Sequence, residues 1–576
     1  MRLSTERDRD ESRSLEVLHA AFDGGITFFD TADAYCWDNS EVGHNERLIA
    51  RALSSWNGDR SPIVVATKGG LTRPQGEWVP DGRARHLRAA CEASLRALDV
   101  ERIQLYQLHA PDPRTPLGTS VRALAALKDE GLIERVGLCN VNVGQIEEAR
   151  RITDIAAVQV EVSVWHDENL LNGVVAYCLE HEIQLIAYRP LGGRRRLPQL
   201  RHESVLKDVA ERHRATPAEI ALAWLDGLSS HVVSIPGPTR VETVQSIVRA
   251  RRIELSAEDR DRLDARFRSD GSAVSGGSSD PPENSEVVLI MGLPGAGKST
   301  IARAMAEQGY ARLNRDEAGG SLRGLLPDLQ RLVDEGRSRI VLDNTYMSRA
   351  SRARVVQAAN SLGLPVRCVW LATGVEDAQV NAVSRIIANH GRLLGPDEMK
   401  QAVKRDISAF APTVQFRHQR ELEPPNPAEG FSRIDVMPFE RTRDPAFSNK
   451  ALIVWCDDSL ADRGPVLRRY QDEGWLLLGL AWRPEIEGGT MTHEQVDADF
   501  ARLQERLGVS IEILYCPHAA GPPKCWCRKP LPGLGVVFIQ RHRLDPSQCI
   551  YVGAGPQDPG FARRLGFQYR ELMPPN

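Results

Sequence analysis

Short apolar runs alternate with amphipathic segments along the first half of the chain. The runs are Ile26–Asp30, Ile63–Lys68, Ile103–His109, Arg135–Cys139, Val158–Glu161, Ile183–Tyr188 and Val232–Pro236. Each is short, apolar and rich in β-branched residues, the pattern of a buried strand. Between them, segments such as 86–97, 118–130 and 216–226 carry helical periodicity. Alternation of this kind over ~250 residues predicts an α/β fold of the (β/α)8 TIM-barrel type, in which polar residues ending each strand face the active site.

The alternation stops at residues 269–285, SDGSAVSGGSSDPPENS, a stretch with almost nothing to bury that reads as a flexible linker. A weaker break lies at 441–449, RTRDPAFSN, just before the apolar run Ala451–Cys456. The predicted units are therefore 1–268, 286–440 and 449–576. A length of 576 residues is consistent with three or four domains. With 73 Lys+Arg against 77 Asp+Glu the net charge is −4, which excludes a globally basic nucleic-acid coat but not a local basic groove. No apolar run reaches the ~18–20 residues of a membrane span, and the first residues lack the apolar core of a signal peptide. Ten cysteines are too few for a disulfide framework. A cytoplasmic location and no membrane partner are expected.

In the first unit Asp30 and Tyr35 follow the first run, Lys68 ends the second and His109 ends the third. A tyrosine beside a lysine and a histidine suits general acid catalysis. The cation should pull the phenol below its usual ~10, and the aspartate should keep the lysine charged. These residues sit in FFDTADAY (28–35), ATKGG (66–70), LYQLHAPDP (105–113), RVGLCNVN (135–142), VQVEVS (158–163), IAYRPLGG (186–193) and SIPGPTR (234–240). Together they resemble the aldo-keto reductase family over nearly all of 1–268. The resemblance implies that Tyr35 protonates a small carbonyl substrate reduced by NADP(H), with Asp30, Lys68 and His109 completing the catalytic tetrad. It places nicotinamide contacts at Asn140, Gln159 and Tyr188, and cofactor phosphates at Thr239 and Arg240. Cys139 stands where that family has serine. Met1 falls inside the family's first strand, so the barrel should open on a short strand unless the chain starts further upstream.

The second unit begins with the strand-like Val287–Met291, then GLPGAGKST (292–300) and a helical run. This is a complete P-loop in its strand–loop–helix context. Gly292, Gly295 and Gly297 let backbone N–H groups curl around phosphates, Lys298 neutralises them, and Ser299, followed by Thr300, ligates Mg²⁺ on bound ATP. Asp316 ends the next strand, where it can take a proton from an attacking hydroxyl. GLPGAGKST, GYARLNRDEAG (309–319), VLDNTYMSRASRARVV (341–356) and ELEPPNPAEGF (421–431) occur in order and resemble the kinase domain of polynucleotide 5′-kinases. That resemblance implies Asp316 as general base toward a 5′-hydroxyl of a DNA or RNA end. It makes Arg323 a grip on the acceptor phosphate, and Arg385 and Arg392 lid arginines that clamp ATP.

In the third unit Cys516, His518, Cys525 and Cys527 have the spacing of one tetrahedral structural Zn²⁺ site. Their surroundings, YCPHAAGPPKCWCRKPLPGLG (515–535), resemble the zinc-loop branch of haloacid-dehalogenase-type (HAD-like) phosphatases, with Lys529 at the phosphate-binding lysine. Aligned on Ser459-Leu460, Trp455 occupies the nucleophile position of that family and Asp457 the acid/base position; in a shifted register Asp457 is the nucleophile and Ser459 replaces the second aspartate. In either case Ala554 replaces a Mg²⁺-binding aspartate, with Asp558 kept nearby. A non-catalytic domain is expected, one that still binds phosphate or a nucleic-acid end through Lys529 and Arg528. The combination suggests carbonyl reduction coupled to 5′-end phosphorylation in nucleic-acid repair. The alternatives are a sugar or nucleoside kinase fused to a metabolic reductase, and a scaffold that senses NADPH.

Overall fold

The structure, a computed structural model, describes residues 2–267, 285–319, 321–441, 444–457, 460–521 and 524–571. It divides into two compact units, Met1–Ala273 and Val274–Asn576. The linker predicted over 269–285 lies, apart from Ser285, outside the described residues.

The first unit is built on parallel strands β1 (Phe28–Asp30), β2 (Val64–Gly69), β5 (Ile103–Leu108), β6 (Ile133–Cys139), β7 (Ile155–Glu161), β8 (Gln184–Tyr188) and β9 (Val232–Ile235). A short antiparallel hairpin, β3 (Leu71–Thr72) with β4 (Val79–Pro80), follows β2. Among the described residues the parallel strands pair in the order β1-β2-β5-β6-β7-β8-β9, one fewer than the eight predicted, with β1 and β9 at the two ends. Ahead of β1 the described residues form helix and not the short strand expected there. Asp10 caps the helix Glu11–Asp23, whose Ser14, Val17, Leu18, Ala21 and Phe22 are buried at helical spacing. That helix packs against Val244 and Val248 of the helix Val241–Ala250, so the helical wall meets across the gap. Gly24 permits the approach, since a Cβ there would stand 2.7 Å from Val248 Cγ2.

The second unit holds two five-stranded parallel sheets. The first contains β10 (Glu286–Met291), β11 (Ala311–Leu313), β12 (Arg339–Asp343), β13 (Val366–Leu371) and β14 (Arg433–Met437), ordered β11-β12-β10-β13-β14. The second contains β15 (Ala451–Trp455), β16 (Leu476–Trp482), β17 (Glu512–Cys516), β18 (Ile550–Gly553) and β19 (Gln568–Glu571), ordered β17-β16-β15-β18-β19. One apolar core runs across the 441–449 break into the second sheet. Ala382, Val383, Ile386 and Phe410 from before the 441–449 break pack with Ile453, Trp526 and Phe538 from after it. Burial of a large side chain contributes about 1.5–3 kcal/mol, and these residues pack the helix Val375–His390 and the segment after it onto the second sheet.

Candidate active sites

In the barrel the sequence-predicted tetrad converges at the carboxyl ends of the strands. Lys68, fully buried, donates to Asp30 Oδ2 (2.5 Å), the Thr31 carbonyl (2.8 Å) and the Tyr35 hydroxyl (3.1 Å). Asp30 Oδ1 accepts from Gln159 Nε2 (2.8 Å) and Gln107 Nε2 (3.2 Å). The His109 ring stands edge-on to Tyr35, with centroids 5.5 Å apart. Trp78, exposed in the loop of the β3–β4 hairpin, borders both rings at 6.2 and 6.1 Å, and sequence reading did not single it out.

Burial acts on Tyr35 more strongly than the lysine does. The phenol is pushed up to about 12, although Lys68 pulls the other way. The expected depression is thus reversed, and Tyr35 is a well-held proton donor. Burial opposes the charge on Lys68, but Asp30 and Tyr35 more than offset it and raise its pKa. Burial, reinforced by Lys68, holds His109 well below the ordinary imidazole range, so His109 is neutral, and its Nδ1 has no partner.

Asn140, with φ of 58°, donates to the His109 carbonyl (3.0 Å) and accepts from the Tyr188 hydroxyl (2.9 Å). Cys139 turns to Gln107 Oε1 at 3.7 Å. Gln159, expected at the nicotinamide, has its amide engaged by Asp30. Thr239 and Arg240 lead into the helix Val241–Ala250, with Arg240 exposed at the N-cap. A Cβ on Gly237 would meet nothing within 4 Å. An open loop ending on a helix N-terminus and an arginine fits a phosphate-bearing dinucleotide.

In the second unit Gly292, Gly295 and Gly297 take φ of 151°, 89° and 99°, values that a side chain would strain. A Cβ on Gly295 would lie 2.3 Å from the Ala378 carbonyl of the helix Val375–His390. Asn381 of that helix donates to the Gly295 carbonyl (3.0 Å), and Gln415 of the helix Pro412–Glu421 donates to the Pro294 carbonyl (2.7 Å). These two supports were not legible in the sequence. Lys298 donates to the Gly292 and Leu293 carbonyls (both 2.9 Å), and burial lowers it to about 8. Ser299 and Thr300 follow it in the first turn of the helix Lys298–Glu307, where a serine hydroxyl fits as one oxygen ligand of a hard cation.

Asp316 lies in the first turn of the helix Arg315–Ala318, which Asn314 caps. Its carboxylate accepts from Arg315 (2.5 Å), and its charge acts on Lys298 and on Arg385. Asp316 is thus within electrostatic reach of Lys298 and Arg385. Arg323 is exposed on the adjoining turn Leu322–Leu325. Arg392 is exposed, and both its terminal nitrogens donate to Glu398 (2.9 and 2.6 Å). Arg352, in the basic cluster after β12, is fully buried and forms two hydrogen bonds of 2.7 Å with Glu429. It holds the fold and offers nothing to an acceptor.

In the second sheet Cys516, His518, Cys525 and Cys527 place their ligand atoms within 4.8 Å of one another. Sγ of Cys516 is 3.8 Å from Cys525 and 3.3 Å from Cys527, close to the edge of about 3.8 Å that a tetrahedron with 2.3 Å bonds requires. The soft, buried donor set fits Zn²⁺. Beside it Lys529 Nζ stands 3.2 Å from the Trp455 ring centroid, 2.5 Å from Asp558 Oδ1 and 3.0 Å from the Tyr551 hydroxyl. The cavity between Trp455 and Lys529 measures about 10 Å³, room for no more than a water.

A parallel-stranded α/β wall with a firmly protonated tyrosine, a buried lysine and a neutral histidine at its mouth defines a carbonyl-directed oxidoreductase. The family model described as aldo/keto reductase family matches residues 1–266, and a model described as an AAA domain matches 287–389. A probable aldo-keto reductase 1 from Glycine max is 32% identical over 276 residues, 43% of this chain and 78% of that protein. The chain belongs to the aldo/keto reductase family through its first unit, and its second unit carries a kinase-like P-loop domain. Among solved structures it is similar to the thermostable aldo-keto reductase Tm1743 (29% identity, TM-score 0.40, 46% of this chain and 90% of that one). It is also similar to an aldo/keto reductase from Klebsiella pneumoniae in complex with NADP and acetate (27%, TM-score 0.39, 45% and 86%). No helix among the described residues is long and apolar enough to cross a membrane.

Proposed function

We propose that the chain joins NADPH-dependent reduction of a small carbonyl compound to ATP-dependent phosphorylation of a 5′-hydroxyl at a polynucleotide end. The reductase half is supported by the Lys68 ammonium bridging Asp30 and Tyr35. Tyr35 gives its proton to the carbonyl oxygen. Lys68, kept charged by Asp30, stabilises the phenolate left behind. His109, neutral and pressed against Tyr35, orients the carbonyl. Asn140, Gln159, Tyr188, Thr239 and Arg240 would hold NADPH, which supplies hydride when bound.

The kinase half is supported above all by the P-loop of 292–300, whose glycines take positive φ and whose Lys298 folds back on the loop carbonyls, with Asp316 within electrostatic reach of Lys298 and Arg385. The backbone of 292–297 and Lys298 bind the ATP phosphates, Ser299 would hold Mg²⁺, and Arg385 neutralises charge on the transferred group. Asp316 accepts the proton of the attacking hydroxyl, and exposed Arg323 would grip the acceptor phosphate. The cluster Cys516–His518–Cys525–Cys527 would hold a structural Zn²⁺ in a HAD-like domain without phosphatase activity, because Trp455 fills the nucleophile position. We read 1–268, 286–440 and 449–576 as the three modules.

Incubation with labelled ATP and 5′-hydroxyl DNA, RNA, sugars and nucleosides tests this assignment. Label transfer to oligonucleotide ends, abolished by Asp316→Asn, is the expected result. Transfer only to small molecules overturns the polynucleotide assignment, and no transfer to any acceptor overturns phosphotransfer itself.

A further inference from the structure

The metal-ligand loop and the P-loop are joined by a short, fully packed path. Trp526 sits between ligands Cys525 and Cys527 and is completely buried. Its Nε1–H donates to the Phe410 carbonyl (2.9 Å), and its ring stands edge-on to Phe410 at 6.1 Å. Two residues on, Pro412 opens the helix whose Gln415 donates to the Pro294 carbonyl inside the P-loop. Gln415 is itself fully buried, so this contact has no room to drift.

A second connection runs beside the first. Leu393, just beyond the helix that supports Gly295 and carries Arg385, packs directly on the cluster of Cys516, Cys525 and Cys527. A Cβ on Gly533 would collide with the Trp526 carbonyl (2.4 Å) and press on Leu393 (3.0 Å), so the loop and this segment fit without slack. Four thiol and imidazole groups crowded together suit a bound cation, which would tie Cys525 and Cys527 to Cys516 and His518. Without one, the Cys525–Cys527 turn on which Trp526 is mounted keeps only its packing and the hydrogen bonds of Trp526 with Phe410 and Gly533.

We propose that Trp526 is a positioning residue for the nucleotide site: metal held by its neighbours fixes the indole beneath Phe410 and thereby sets the affinity of the P-loop for MgATP. This rests on the nucleotide and metal readings above. The barrel, a separate unit, should not respond.

The test uses the full chain and three readouts: metal content, equilibrium binding of MgATP, and hydrogen exchange of residues 375–421. Stripping the metal with a chelator, followed by removal of the chelator and return of Mg²⁺, should weaken MgATP binding roughly tenfold. It should also speed exchange in 412–421, and added Zn²⁺ should restore both. Trp526→Ala should keep its metal yet show the same weakening, and Trp526→Phe, which keeps a ring against Phe410, should recover part of it. Gln415→Met cuts the path at its far end without touching the metal core and should weaken MgATP binding equally. Reductase activity serves as the internal control. Wild-type MgATP affinity in Trp526→Ala, with exchange in the 451–571 sheet unchanged, overturns the proposal. Should that variant not fold, wild-type affinity in Gln415→Met does so. A chain that takes up no metal sinks the metal reading and, with it, the metal dependence proposed here, while Trp526→Ala and Gln415→Met still decide the positioning role. If the wild-type chain binds no MgATP, the nucleotide reading fails, and unchanged exchange of 412–421 on metal removal then overturns the coupling.

Discussion

The Lys68 ammonium lies 3.1 Å from the Tyr35 hydroxyl, yet the phenol is a weaker acid than free tyrosine because burial outweighs the neighbouring charge. In the free protein Tyr35 keeps its proton until about pH 12, and neutral His109 does not titrate near 6.5. The kcat/KM profile for carbonyl reduction should therefore show no limb from either residue between pH 6 and 9. Tyr35→Phe should lower it by about 10²–10⁴-fold. Because the folded pKa lies above the unfolded value of ~10, the fold favours the protonated phenol. That contribution is complete below pH ~10 and is lost as pH rises toward 12. Alkaline unfolding of the first unit, followed by circular dichroism, should begin in that window.

Lys298 is held near 8 by burial in the nucleotide-free protein. Phosphates restore its preference for the charged form, so MgATP binding at pH 8 should take up about half a proton. Calorimetry in buffers of different ionisation enthalpy measures this directly. Lys298→Met should abolish the uptake.

Arg240 stands exposed at a helix N-terminus, where an adenosine 2′-phosphate is the group that distinguishes the two nicotinamide cofactors. A charged hydrogen bond contributes about 1.5–3 kcal/mol. Arg240→Ala should raise KM for NADPH by about tenfold to a hundredfold and leave that for NADH unchanged in steady-state assays.

Asp558, fully buried, accepts from Lys529, from Tyr551 and from the Gly555 N–H. Removing the cation alone leaves that carboxylate without its counter-charge, a loss of about 3–5 kcal/mol. Lys529→Met should lower the denaturant midpoint of the second unit, with Asp558→Asn in the same chain recovering part of the loss. Hydrolysis of p-nitrophenyl phosphate should stay at background in the wild-type protein.

The sequence by itself determined what local pattern and motif can carry. Period and strand-end polarity marked the parallel α/β wall and brought Asp30, Tyr35, Lys68 and His109 into view. The glycines of 292–297 marked the P-loop, and the Cys/His spacing marked the metal cluster. Tertiary structure decided what depends on surroundings rather than spacing. It set the direction of the Tyr35 shift, because desolvation is a property of everything packed around the ring. It assigned Arg392 to Glu398 and Arg352 to Glu429, because charge partners distant in sequence leave no periodic trace. It also joined two segments that a polar stretch at 441–449 had separated, because a shared apolar core is built from faces that each segment, read alone, would bury against itself.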